Sequence, residues 1–136
     1  MTKQRGVKAV ERSKHRKYQR VAEHFCDAAK DSIELEYWTA AAVLIVHSAI
    51  AYADALCIKL SGQRSVGDSH EHTITLLEEL IAGGEEKTKA LNQLRYIIEE
   101  KTRVSYLGEM LPPSNTRELW KRLERFREWA LRILSR

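Results

Sequence analysis

Two stretches of this 136-residue chain carry side chains whose type and spacing could do chemistry. The first holds His47 and Asp54. Seven residues apart, they share a face of any helix that contains both. Inside an otherwise apolar run both need partners, so they either line a small polar pocket or form a satisfied core pair. The second stretch holds Arg95, Glu99, Glu100, Lys101, Arg103 and Tyr106, many of them at i, i+3 or i, i+4 spacing. Such a set is either an exposed helix laced with ion pairs or a phosphate-contacting face. On that face Arg103 is the best candidate, because its planar fork matches phosphate, with Lys101 beside it. Tyr106 adds a ring and a hydroxyl one turn on, and Asp54 could orient Arg103.

Other polar groups carry less. His70 and His72, flanked by Asp68 and Glu71, stand two apart, where helical side chains diverge, so no metal site is expected. There is no GxxxxGK[ST], GxGxxG, GxSxG, HExxH or CxxC, hence no complete catalytic constellation and no cofactor cradle. Cys26 and Cys57 read as reduced core thiols of a cytosolic protein, with a disulfide between them as the alternative.

These residues must be positioned by helices. The run from Tyr37 to Leu60, YWTAAAVLIVHSAIAYADALCIKL, has no Gly or Pro and is apolar almost all the way round. It needs cover on most faces and predicts the central helix of a bundle. A membrane span is the rival, opposed by Asp54 within the run and by its many alanines. Helix one is predicted from Ser13 or Lys14, with Val21, Phe25, Ala28 or Ala29, Ser32 and Leu35 inward. A short turn then makes helices one and two antiparallel. Helix two should end at Ser61-Gly62 with a left-handed glycine. Helix three follows an Asp68–Glu71 capping box, buries Ile74, Leu77, Leu80 and Ile81, and stops at Gly83-Gly84. Helix four is expected from Glu85 to about Tyr106 through Leu91, Leu94, Ile97 and Ile98. Gly108 and Pro112-Pro113 break the chain. Helix five starts from an Asn115–Glu118 capping box and buries Leu119, Leu123, Phe126, Ala130 and Ile133. No strand-like alternation appears. The fold class is all-α, a four- to five-helix up-down bundle, with residues 14–136 as the domain.

Charge divides the chain. The first 20 residues hold eight Lys and Arg against Glu11 alone, a net +7 in a chain whose total is +4, so the remainder is −3. Residues 1–13 thus read as a basic arm that either binds phosphates by counterion release or serves only as a solvated terminus.

The Ala-rich second helix with His47 and Asp54, the SGQR–loop–SHEH hinge, the segment KTRVSY ahead of a loop, and a last helix with Trp120, Phe126 and Trp129 together resemble the HEPN family. These are small helical domains linked to nucleotide binding and RNA, and the resemblance spans nearly all of the chain after Lys14. It implies a homodimer, here expected through the faces of helices two and four. It also implies a nucleotidyltransferase as a partner, as in the family's toxin–antitoxin pairs. Active members resemble one another in an Arg followed four to six residues later by a His. Here Arg95 is followed by YIIEEK and Arg103 by VSYLGEM, so the general acid/base is missing, and a Tyr of pKa near ~10 is a poor proton shuttle at neutral pH. The expectation is therefore a cytoplasmic, non-catalytic, dimeric binding module for nucleotide or RNA. Arg103, Tyr106, Asp54, His47 and Lys101 are its ligand-binding residues, and there is no membrane partner. The alternatives are a ribonuclease toxin using Arg103 and Tyr106 with Asp54, and a purely structural interaction protein.

Overall fold

A computed structural model describes residues 6–66, 70–106 and 110–136. About 80% of it is helical. Helix α1 spans His15–Glu34, preceded by a single 3-10 turn over Arg12–Lys14. Then come α2 (Trp38–Ser61), α3 (Glu71–Leu80), α4 (Glu85–Glu99), α5 (Lys101–Tyr106) and α6 (Pro113–Leu134).

The expected central helix is central. Ala41, Ala42, Ile45, Val46, Ala49, Tyr52, Ala53, Ala55, Leu56, Cys57 and Ile58 of α2 are all fully buried. It is long and apolar enough to cross a membrane, yet 78% of its most apolar window is buried inside the protein. Its end is as expected: Gly62 takes φ 68° and donates its N–H to the Ile58 carbonyl, a conformation glycine enters without a Cβ penalty.

The other long helices alternate in direction around α2. The α1–α2 turn is short, with Glu36 at φ 62°. Pairs of residues near 22 and 48, and near 25 and 47, meet, so α1 runs antiparallel to α2. Thr116 Oγ1 donates to the Trp38 carbonyl at 2.8 Å, and Lys59 Nζ donates to the carbonyls of Ile133, Leu134 and Arg136 at 2.7–3.0 Å. Helix α6 is therefore parallel to α2, and an ammonium closes its C-terminus, where the dipole favours positive charge. Arg122 of α6 reaches Gln93 and lies over the Tyr96 ring, while Arg132 approaches Glu86, so α4 runs antiparallel to α6.

Several expectations are corrected. The inward stripe of α1 is Ala22, Cys26 and Ala29, whereas Val21 is 46% and Leu35 63% exposed. The Ser48 hydroxyl donates to the Ala22 carbonyl at 2.8 Å; helices that close leave room for alanine and cysteine but not for Val21. Helix four is split at Glu100, whose N–H bonds the carbonyls of Ile97 and Ile98 in a tightened last turn. No Gly or Pro marks that break. Helix α6 starts with Pro113 at its first position behind an extended Pro112, the geometry proline favours, so no Asn115–Glu118 capping box forms. Asp68 and Gly108 lie outside the described residues. Cys26 and Cys57 are both free. Finally, β1 (Val7–Ala9) pairs antiparallel with β2 (Gln63–Ser65), with Val7 opposite Ser65, Lys8 opposite Arg64 and Ala9 opposite Gln63. Part of the expected arm is thus a strand of a two-stranded ribbon, too short and too polar to show alternation. The cover that α2 was expected to need on most faces is supplied mainly by α1, α3, α4 and α6.

Candidate functional site

Asp54 sits in the buried middle of α2, its side chain 10% exposed. Its charged partner is Arg64 of β2, with Nη1 3.9 Å from Oδ2. That is an ion pair at its longest reach and no hydrogen bond. Burial pushes the Asp54 carboxyl up to about 7, with Arg64 pulling the other way. One turn on, burial and the nearby Asp54 raise the Cys57 thiol to about 12, which makes it inert.

Arg64 is held by the ribbon. Its guanidinium lies 5.8 Å from the centre of the Tyr18 ring of α1, and its Nε–H is buried without a hydrogen-bond partner among the described residues. Lys8 stands directly opposite it across the ribbon, and like charges in that position repel. One cation thus faces the desolvated acid at long reach, its Nη1 also 3.5 Å from the Ser65 carbonyl, and a second, exposed cation stands beside it across the ribbon.

Farther along, Lys101 Nζ lies 3.2 Å from His70 Nε2. Burial first, then the charges of Lys101 and His47, lower the His70 pKa, so the neutral ring accepts from the ammonium. His47 is exposed and packs its ring against Phe25 at 5.6 Å between centres. The Arg103 side chain is 41% exposed and reaches Glu100, one turn back, at 3.6 Å. Tyr106 closes α5, and its side chain lies outside the described residues. The expected cleft is therefore divided among the described residues: Lys101 reaches His70, His47 packs on Phe25, and Asp54 is paired with Arg64 and not with Arg103.

A second polar centre joins α2 to α6. Arg127 Nε donates to the Tyr52 hydroxyl at 2.9 Å. Burial raises the Tyr52 phenol to about 12 despite that cation. Seventy-five residues separate the two, and no local pattern links them. Arg64 could have been found: it stands in the SGQR hinge, but nothing in the sequence shows that a strand from the arm delivers a lysine opposite it. Among the described residues no group of three or more His, Cys, Asp or Glu is placed to hold a metal ion.

Comparison of the chain with protein-family models, curated proteins and solved structures gave no match.

Proposed function

We propose that this protein is a HEPN-like binding module for the phosphates of nucleotides or RNA, without catalysis of its own. The observation that carries the reading is the Lys8–Arg64 pair, two cations opposed across the ribbon, one with a buried N–H that lacks an acceptor among the described residues. A phosphate oxygen would satisfy that N–H and neutralise both charges through charge-assisted bonds. Asp54 is the internal counter-charge that gives way, which its elevated pKa makes easy at neutral pH. Lys101 and Arg103 add two further cations on α5, one against His70 and one paired with Glu100. The helical order, with four long helices alternating in direction, agrees with the resemblance, and the resemblance supplies a nucleotidyltransferase as the partner class. No group in the described cluster is both near a phosphate position and suited to move a proton from a ribose hydroxyl. His70 already accepts from Lys101, and His72 stands against Gly6 at the start of the ribbon.

The test is a titration of wild type with mononucleotides and a short single-stranded RNA. Arg64→Ala should weaken binding roughly ten- to a hundred-fold, the loss of one charge-assisted contact. Lys8→Ala should flatten the salt dependence by about one phosphate contact. Arg103→Ala, already paired with Glu100, should do less than Arg64→Ala. Equal silence of Arg64→Ala and Lys8→Ala in a wild type that binds, or RNA cleavage by the wild type, would refute the reading.

A further inference from the structure

Helices α1 and α6 both pack against α2 but scarcely touch each other. Between them they leave an open trough of about 740 Å³. Ile33 of α1 and Trp120 and Leu131 of α6, all half-buried, give it apolar surface. Beneath them Cys26 is nearly closed off, and Arg127 is engaged by the Tyr52 hydroxyl of α2. Burial raises the Cys26 thiol, Arg127 opposes that, and Asp27 from one wall and Glu124 from the other add to the rise. Acids of both helices therefore overlook the same space.

The rims are acidic. Asp27 and Glu34 line the trough from α1, with exposed Asp31 one turn from each, and Glu124 and Glu128 line it from α6. Among the described residues none of these carboxylates has an ion-pair partner within 4.0 Å; the ion pairs formed lie elsewhere. Two cations also line the trough, Lys30 and Arg127. Arg127 is held by Tyr52, and Lys30 alone cannot offset the acids around it. The last turn of α1 carries no base, although a helix C-terminus favours one.

We propose that this trough seats a basic amphipathic helix of another protein, one whose apolar stripe is flanked on both sides by Lys or Arg. The gap between two helices that share a third as their floor is the place a further helix of a bundle takes. The stripe covers Ile33, Trp120 and Leu131, and the flanking cations meet Asp27 and Glu34 on one side and Glu124 and Glu128 on the other. Seven residues separate Asp27 from Glu34, about 10 Å of helix, so two to three turns of the partner suffice. An extended peptide sends alternate side chains to opposite faces and would set one row of cations against two rows of acids. The same rims repel nucleic acid and anionic lipid. The trough shares no residue with the Lys8–Arg64 pair, and the proposal rests neither on that pair nor on the family resemblance.

Fluorescence anisotropy with a labelled synthetic peptide tests it. The probe is a helix-forming peptide of about 14 residues, with leucines at i, i+3, i+4 and i+7 spacing and arginines on both flanks. The control peptide has the same composition in an order that destroys the stripe. Wild type should bind the probe at low salt, bind the control at least about tenfold more weakly, and lose much of its affinity for the probe at about 0.5 M salt. Asp27→Lys with Glu124→Lys should weaken the probe about ten- to a hundred-fold, because it turns attraction into repulsion on both rims. Trp120→Ala should weaken it about tenfold by removing the apolar anchor. Glu79→Lys with Glu99→Lys makes the same change in net charge at exposed positions elsewhere and should leave the affinity within about twofold. Circular dichroism checks that each variant keeps its helix content, and a Trp120→Ala protein that loses it is replaced by Trp120→Gln. No binding of the probe by wild type, equal binding of probe and control, or equal losses from the two double substitutions would each overturn the proposal. So would an unliganded wild type that sediments as a dimer and becomes a monomer on Asp27→Lys with Glu124→Lys, for a second copy would then occupy the trough.

Discussion

Replacing Asp54 by asparagine should stabilise the protein, and more so as the pH rises. The side chain is 10% exposed and its pKa is raised from an ordinary 3.8 to about 7, mainly by burial. The folded state therefore holds a proton that the unfolded chain has released, and stability falls as pH rises between about 4 and 7. Every tenfold change in proton affinity is worth about 1.4 kcal/mol, so ionised Asp54 costs on the order of 4 kcal/mol above neutrality. Arg64 is already counted in that figure, because its attraction opposes the effect of burial. The asparagine side chain keeps the shape and cannot ionise. The gain from Asp54→Asn should thus be on the order of 2–3 kcal/mol larger at pH 8 than at pH 5, since much of the penalty accrues in that window. Urea denaturation of both proteins at the two pH values measures it, and the wild-type midpoint should itself drop at pH 8. A gain that is the same at both pH values, or a loss at pH 8, would refute the reasoning, for it would mean that the Arg64 contact outweighs desolvation.

Tyr52→Phe removes the hydroxyl that accepts from Arg127 at 2.9 Å and should cost about 1–2 kcal/mol in the same denaturation assay, because it leaves a partly buried guanidinium short of an acceptor. Gly62→Ala places a Cβ 3.3 Å from the Val10 carbonyl oxygen at φ 68°. It should lower stability by about 1–2 kcal/mol and loosen the ribbon beside the end of α2, which hydrogen exchange resolves residue by residue.

The parts of the fold that follow a helical period could be read from the residues. The α2 run is apolar on most faces, and its glycine stop at position 62 is where the chain turns. Leu91, Leu94 and Ile97 of α4, and Leu119, Leu123, Phe126 and Ile133 of α6, point inward at the expected spacing. What failed was set by partners distant in sequence. Val21 looks like a core residue, yet the close approach that joins Ser48 to Ala22 turns α1 so that small residues face inward. The segments VKA and QRS have no strand signature, and only their pairing makes them strands. His47 shares a helix with Asp54 but stands on an exposed face against the Phe25 ring, so the two do not form one pocket. Arg103 has the right chemistry, but its carboxylate partner is Glu100, one turn away, and the partner of Asp54 is Arg64.

The ribbon has a consequence for the order in which the molecule assembles. Its strands lie at residues 7–9 and 63–65, so joining them closes a loop of roughly 50 residues, at an entropic cost of about 3–4 kcal/mol. Three ladder residues cannot offset that alone. The strands meet only once the α1–α2 hairpin has formed and carried both ends to the same side. During synthesis the first strand therefore waits, unpaired, until the whole of α2 has been made. In the finished protein it is the first element to detach, while the hairpin beneath it stays folded.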